Sequence, residues 1–414
     1  MSANLFFWIF IGFIVLEFLL EYYLDALNAK HFNDTPDPEL QDIFDPQAYQ
    51  KSQKYKLENY HFSKITSIIS LIAILVFLFL KGFGYVDYLV RELTENTLLQ
   101  SLLFFGILLV ASSLLTLPFS YYQTFVIEEK YGFNKSTKKL FFIDQMKGLL
   151  LGIILGGIIA GIIIWLYQLT GRNFWWYAWI FVGIISLLIN MFYTSIFVPL
   201  FNKLRPLETG ILRDALQKLA SKVHYNLDKI YVIDGSKRSS KANAYFSGFG
   251  PKKKVVLYDT LLQDLNPNEI TAVLAHEIGH YKRKHIIYNL ILSITSTGIM
   301  LFLLSLFIDN QTLANALGAS KASFHIGVIA FSLLFTPISF IIGLYTNQLS
   351  RKFEYQADCF AKQYHNAEDL ISGLKKLSKN NLSNLTPHSW YVWVHYSHPT
   401  LLQRIQNLKK SHNK

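Results

Sequence analysis

Cysteine is almost absent from this chain. Its 414 residues include one cysteine, Cys359. A single cysteine cannot form a disulfide within the chain, and it cannot build a metal site from several thiolates. A disulfide framework and a multi-cysteine metal centre are therefore both excluded.

Charged residues are also scarce. They make up 16% of the chain, whereas soluble domains contain about 25%. Apolar residues account for 51% and aromatic residues for 15%, and the mean hydropathy is positive. This deficit of charge indicates a protein that is embedded in lipid rather than one built from soluble domains.

Long apolar runs are present instead. A helix needs about 20 predominantly apolar residues to cross a bilayer, and seven segments qualify: 5–23, 65–80, 99–122, 148–169, 175–201, 287–307 and 324–344. The first lacks the basic start and the small-residue cleavage site of a signal peptide. We therefore predict seven membrane spans, the first of which is retained.

The net charge of +11 is distributed unevenly between the loops. Of the 39 Lys and Arg residues, 35 lie in the loops 27–64, 123–147 and 202–286 and in the tail from residue 347. The intervening loops 81–98, 170–174 and 308–323 hold 4. Basic residues accumulate on the cytoplasmic side, so we predict an outside amino terminus and a cytoplasmic carboxyl terminus. Nucleic-acid binding is not needed to explain the charge.

Two features inside the spans have alternative interpretations. Small residues four apart allow close helix packing, and the fourth span repeats this pattern at Gly152, Gly156, Gly157 and Gly161. The first span carries Glu17 and Glu21 on one face, followed by Asp25. These carboxylates lie either at the membrane interface or along a water-accessible lumen between the spans.

The chain begins with five predicted spans in residues 1–201. The polar part that follows forms two pieces, 202–286 and 347–414, and a membrane hairpin at 287–346 separates them. In the first piece we predict a helix at 208–223 and a strand at 229–233. Residues 243–247 and 255–258 read as a β-hairpin with a glycine-rich turn at 248–251 and a basic loop at 252–254.

A helix beginning at Asn266 has strong start signals. Asn266 is a favourable cap, Pro267 occupies the first helical position and Glu269 the third. Ten residues on, His276 and His280 lie four apart on one face. They can bind one Zn²⁺ through two neutral imidazole nitrogens, with Glu277 placed as a base beside the water that the metal activates.

The same motif has an ordinary explanation. With 12 histidines in the chain, this spacing arises by chance in roughly one such chain in a hundred. The histidines of a capped helix can also simply form hydrogen bonds. A zinc site needs a third ligand. Glu354 and Asp358, four apart on a second helix, can supply one ligand and one acceptor for a histidine N–H, although such a pair is more often a solvated helix face.

Four segments in this order resemble the M48 family of zinc peptidases: Asn243-Ala244-Tyr245, His276-Glu277-Ile278-Gly279-His280, Glu354-Tyr355-Gln356-Ala357-Asp358 and Ser397-His398-Pro399. The seven spans, the loop 129–135 and the position of the membrane hairpin resemble the type I CAAX prenyl protease branch. The likeness extends from about residue 49 to 408. It implies a mainly α polytopic membrane protein, with seven transmembrane helices and a cytoplasmic zincin-type α+β catalytic domain.

The resemblance also implies roles for individual residues. One Zn²⁺ per chain would be bound by His276, His280 and Glu354, with Glu277 as the catalytic base and Asp358 as an orienting residue or proton donor. Two late residues would face the reacting carbonyl, His398 and Arg404. The substrate backbone would lie along the edge strand at Asn243, Ala244 and Tyr245.

The implied partners are a peptide or protein substrate, lipidated in the CAAX case, and the lipid bilayer. The loop 308–323 is shorter than expected of eukaryotic members, which favours a bacterial homologue in the inner membrane; a eukaryotic one would lie in the endoplasmic reticulum. Two alternatives are a quality-control endopeptidase of the same family, which would cut misfolded membrane proteins internally, and a channel or transporter, which would leave the zinc constellation without a purpose.

Overall fold

The computed structural model describes residues 1–227, 229–247 and 254–410, and this part of the chain is mainly helical. Its helices are α1 (Ala3–Lys30), α2 (Pro46–Phe79), α3 (Gly82–Leu93), α4 (Thr97–Tyr122), α5 (Glu129–Tyr131), α6 (Lys138–Thr170), α7 (Phe174–Ile196), α8 (Val198–Phe201), α9 (Ile211–Lys222), α10 (Asp259–Asp264), α11 (Pro267–Lys282), α12 (His285–Phe307), α13 (Gln311–Ala316), α14 (Phe324–Tyr364), α15 (Ala367–Asn380), α16 (Ser389–His395) and α17 (Leu401–Lys409). Its strands are β1 (Leu204–Pro206), β2 (Ile230–Ile233), β3 (Ala244–Ser247) and β4 (Lys254–Tyr258).

All seven predicted spans lie on long apolar helices. Within the described residues, six uninterrupted stretches are long and apolar enough to cross a membrane, and the 64-residue stretch Lys138–Phe201 contains two of the predicted spans. A tight turn at Gly171, where φ is +56°, divides that stretch into α6 and α7. The apolar side chains of these helices are largely exposed, as is expected of a surface that faces lipid.

Two segments that the charge count treats as loops contain helices, α3 and α13. The start of α3 contacts the turn that follows α13, where the amide of Gly84 donates to the carbonyl of Leu317 at 3.1 Å. Asp87 of α3 also accepts a hydrogen bond from His325 at 2.7 Å, and both side chains are only 1% exposed. These contacts close this end of the helical bundle with an ordered, packed cap.

The strands form one sheet in the order β1-β2-β4-β3. β2 and β4 are parallel, whereas β3 and β4 pair as the predicted antiparallel hairpin, with Tyr245 opposite Val256. The predicted turn at 248–251 lies outside the described residues. Since β3 pairs with β4 alone, its other side is an edge of the described sheet.

Helix α14 joins the membrane to the polar part without a break. It runs for 41 residues, from the last predicted span through residue 347 to Tyr364. Helix α11 packs against α14, α15 and α9, and it buries Ile270, Leu274 and Ile278 in the largest apolar cluster of the protein. The two helices that carry the predicted zinc ligands are thus held side by side in a packed core.

Candidate metal centre

The helix that carries the histidines, α11, begins where the sequence predicts. The Asn266 side chain accepts from the Glu269 amide at 3.0 Å, and the Glu269 carboxylate accepts from the Asn266 amide at 2.9 Å. This capping box, followed by Pro267, satisfies amides that have no partner inside the helix. Lys376 of α15 lies 2.7 Å from the Glu269 carboxylate, which fixes the start of α11 to its neighbour.

Helices α11 and α14 approach each other closely at Gly279. A Cβ atom at this position would lie 3.0 Å from the Cα of Ala357 and 3.0 Å from the Cβ of Phe360. Ordinary carbon contacts are about 3.5–4.0 Å, so glycine is what permits this spacing. Because His280 follows Gly279 and Glu354 lies one turn before Ala357, the close approach brings the histidines to the carboxylate.

Replacing Gly279 by alanine should weaken zinc binding and slow peptide cleavage, each by about 10-fold, because small displacements of ligands and catalytic groups are costly. Zinc affinity measured by competition with a chelator, together with the cleavage rate, checks this. Gly343→Ala is the matched control on α14, since a Cβ there meets nothing within 4 Å. Equal zinc affinities and cleavage rates in the two variants would show that the close approach at Gly279 does not position the ligands.

Three donor side chains meet between α11 and α14. The Nε2 atoms of His276 and His280 are 3.2 Å apart. The Glu354 carboxylate oxygens lie 3.4 Å from Nε2 of His276 and 3.2 Å from Nε2 of His280. Around a tetrahedral zinc ion with bonds of about 2.1 Å, neighbouring ligand atoms are about 3.4 Å apart. The three side chains therefore have the spacing of ligands to a single zinc ion.

The hydrogen-bonding state of these donors also fits a cation. Nδ1 of His276 lies 2.8 Å from Asp358, and because a carboxylate only accepts, the proton of the neutral ring is on Nδ1 and Nε2 presents its lone pair. The Oε2 atom of Glu354 is buried without a hydrogen-bond partner, which costs about 1–3 kcal/mol. Side chains whose lone pairs converge in this way are stabilised by a bound Zn²⁺.

Arg404 binds the carboxylate of Asp358. Its Nε and a terminal nitrogen donate to the two oxygens of Asp358 at 3.0 and 2.6 Å, and Asp358 is fully buried. The other terminal nitrogen lies 3.7 Å from Glu354. Arg404 thus offsets the negative charge of both carboxylates, and its predicted contact with a reacting carbonyl stays a prediction.

Glu277 lies beside the three donors and is half-buried. Burial raises the pKa of its carboxyl above the ordinary value, although the neighbouring His276 and His280 act in the opposite direction. A carboxylate with a raised pKa accepts a proton more readily near neutral pH. The position of Glu277 on α11 therefore suits a general base.

His398 is the exposed member of the group. Its side chain is 65% exposed, and its Nε2 lies 3.4 Å from a Glu354 oxygen. Ser397 contacts the other ring nitrogen at 3.0 Å. An exposed imidazole at the rim of a buried donor set is free to contact a substrate.

Two side chains of α14 hold the segment that leads to His398. The guanidinium of Arg351 donates to the main-chain carbonyls of Val392 and Tyr396, and Asn347 donates to the carbonyl of Val394 at 2.7 Å. These carbonyls lie at the end of α16 and just after it, and the carbonyl of Val392 also accepts from the amide of Tyr396 at 3.1 Å. We did not predict these contacts from the sequence.

The predicted substrate-binding residues of the edge strand lie away from the three donor side chains. Asn243 accepts from the amide of Tyr258 at 3.0 Å and from the amide of Ala244 at 2.8 Å. Asn243 and Tyr245 line a cavity of about 760 Å³ that is shared with Tyr193 of α7 and that does not include the three donors. The role of Asn243, Ala244 and Tyr245 in substrate binding stays a prediction.

The acidic residues of the first span also have neighbours. Glu21 lies 3.2 Å from Nε2 of His395 on α16. Asp25 lines a cavity of about 310 Å³ together with Tyr391 and Tyr396, while Glu17 is exposed. The contact of Glu21 ties the first span to the segment that precedes the donor set, and the proposed aqueous lumen stays a prediction.

Two further residues near the donors were not predicted, His285 and Gln356. Nδ1 of His285 lies 3.0 Å from Nδ1 of His280, and its Nε2 lies 2.8 Å from Oε1 of Gln356. Both residues are close in sequence to predicted ligands. A single sequence gives no reason to choose them, because any of the other histidines could equally be structural.

Two family models match this chain. One, described as CAAX prenyl protease N-terminal, five membrane helices, matches residues 25–203. The other, described as Peptidase family M48, matches residues 206–412. The chain belongs to peptidase family M48. The prediction from its short motifs is therefore confirmed.

Relatives of this M48 peptidase are similar along their whole length. It is 36% identical to the CAAX prenyl protease 1 homolog of Oryza sativa subsp. japonica, with 97% of each chain covered. It is 35% identical to CAAX prenyl protease 1 of Saccharomyces cerevisiae, covering 96% of this chain and 94% of that one. The crystal structure of S. mikatae Ste24p matches with a TM-score of 0.93 and 35% identity, covering 98% and 99% of the two chains.

These matches establish a multi-pass membrane metalloprotease, and its family is zinc-dependent. They support the CAAX-type interpretation over a quality-control endopeptidase and over a channel or transporter. The relatives named above are eukaryotic. The bacterial origin expected from the short loop 308–323 stays a prediction.

Proposed function

We propose that this peptidase removes the residues that follow a prenylated cysteine at the carboxyl end of its substrates, using one zinc ion per chain. The observation that carries the proposal is the continuity of α14 from the last membrane span to Glu354. The predicted span ends at residue 344, and ten helical residues extend about 15 Å. A substrate that is anchored in the bilayer by a prenyl group can therefore reach the site.

The proposed zinc ligands are His276, His280 and Glu354. When bound, zinc polarises the scissile carbonyl and lowers the pKa of a coordinated water toward about 7. Asp358 keeps His276 in the tautomer that ligates through Nε2, and Arg404 keeps Asp358 ionised through the paired contacts at 2.6 and 3.0 Å.

The remaining roles belong to side chains at the open side of the donor set. Glu277 takes a proton from the attacking water and returns it to the leaving amine. His398, which is exposed, donates a hydrogen bond to the oxygen of the tetrahedral intermediate. The substrate backbone pairs with the edge of β3 near Asn243, Ala244 and Tyr245 through main-chain hydrogen bonds.

The orientation in the membrane is part of the same proposal. The excess of basic residues, 35 of 39 on one side, supports an outside amino terminus and a cytoplasmic catalytic part. Prenylated proteins that face the cytoplasm would then meet the site directly.

The proposal is tested by mass spectrometry of the products of two peptides that differ only at the cysteine, one farnesylated and one S-methylated. We expect the farnesylated peptide to be cut on the carboxyl side of the modified cysteine, with kcat/KM higher by at least about 10-fold, or about 1.4 kcal/mol. Cleavage should stop when zinc is chelated. Equal cleavage of both peptides, or internal cleavage at unrelated positions, would favour the quality-control alternative.

A further inference from the structure

His285 is held rigidly beside the donor set. It is the first residue of α12, it is 2% exposed, and it follows Lys284, whose φ is +60°. Its ring stacks on Phe353, with centroids 4.2 Å apart and planes 10° apart. A buried imidazole that is fixed in this way presents its two nitrogens in defined directions.

The two ring nitrogens of His285 contact Gln356 on one side and His280 on the other. Nε2 of His285 lies 2.8 Å from Oε1 of Gln356, and its Nδ1 lies 3.0 Å from Nδ1 of His280. Each neutral imidazole has one N–H donor and one acceptor nitrogen. The protonation of one ring therefore determines that of the next.

The donor and acceptor roles in this series of hydrogen bonds are set by Gln356. Its carbonyl oxygen accepts, so Nε2 of His285 carries the proton and Nδ1 of His285 accepts. Nδ1 of His280 must then donate, which leaves the lone pair of its Nε2 directed at Glu354, 3.2 Å away. We propose that His285 and Gln356 are positioning residues that set the metal-binding tautomer of His280, a proposal that rests on the zinc ligands assigned in the proposed function.

The other proposed histidine ligand, His276, also has a partner at its Nδ1, but this partner is a carboxylate. His276 donates to Asp358, whose carboxylate can only accept. Among the residues that the structure describes, no carboxylate lies at Nδ1 of His280, which contacts His285 instead, a ring that can donate or accept. Gln356 resolves this ambiguity because its amide oxygen faces His285; the reversed amide would place the proton on Nε2 of His280 and block ligation.

The test compares the zinc affinity of Gln356 variants in the full-length protein, by competition with a chelator. Gln356→Leu removes the acceptor and should weaken zinc binding by about 10–100-fold, the usual effect of losing the partner of a ligand. Gln356→Glu keeps an acceptor and should stay within about 3-fold of the unaltered protein. Gln363→Leu, at an exposed position on the same helix, is the matched control and should have no effect.

A second variant tests the linkage. His285→Phe should weaken zinc binding as much as Gln356→Leu does, and adding Gln356→Leu to it should cause no further loss, because the two act in series. Normal affinity in Gln356→Leu, equal losses in the Leu and Glu variants, or additive losses in the double variant would each overturn the proposal. The assay needs no substrate, so failure to cleave prenylated peptides would count against the proposed function alone.

Discussion

A Glu277→Gln variant should keep its zinc and lose peptide cleavage by about 10²–10⁴-fold, the usual contribution of a general base. The amide has nearly the shape of the carboxylate, but it cannot accept a proton from the attacking water. Glu277 is not one of the three converging donors, so the metal should stay in place. Zinc content per chain and the initial rate on a farnesylated peptide, measured on the same preparation, check both parts of the prediction.

The control for this variant is Glu368→Gln, which makes the same chemical change at an exposed position on α15. It should leave both measurements unaltered. If Glu277→Gln also cleaves at the normal rate, Glu277 is not the base. If it cleaves poorly because zinc has been lost, the carboxylate contributes to the metal site instead.

A His276→Ala variant should lose zinc affinity by more than about 100-fold, since removal of a ligand exceeds the 10–100-fold effect of losing its partner. The loss has a second cause in this protein. Asp358 would be left buried without its histidine, although Arg404 still binds both of its oxygens. Cleavage should fall in parallel with bound zinc, and chelator competition measures the affinity directly.

His61→Ala is a suitable control for this second prediction, because His61 is exposed on α2. It should bind zinc as tightly as the unaltered protein. Normal zinc affinity in His276→Ala would contradict the assignment of this histidine, and with it the tetrahedral arrangement inferred from the 3.2–3.4 Å spacings.

Local signals made part of the site predictable. The cap at Asn266 fixes where α11 begins, and the period of the helix then puts His276 and His280 on one face. The four-residue separation of Glu354 and Asp358 works in the same way on α14. Spacing did not distinguish the two carboxylates, and the resemblance to the family predicted that Glu354 binds the metal and that Asp358 orients a histidine.

Contacts between distant segments were not predictable from one sequence. In the sequence Gly279 is one of the two unspecified residues of the His-Glu-x-x-His motif. Its importance is evident only from its close approach to Ala357 in the structure. His285 and Arg351 act through partners that the fold brings near them. Similarly, the helices α3 and α13 are too short and too mixed in composition to stand out, and packing against the membrane helices stabilises them.

The proposed mechanism requires zinc bound between α11 and α14, and anomalous scattering at the zinc absorption edge from crystals of the purified protein tests this most directly. We expect one anomalous peak per chain, bounded by Nε2 of His276, Nε2 of His280 and the carboxylate of Glu354, with each ligand atom about 2.1 Å away. A peak at any other position, or no peak at this position in crystals of protein that cleaves peptide, would contradict the proposed zinc site.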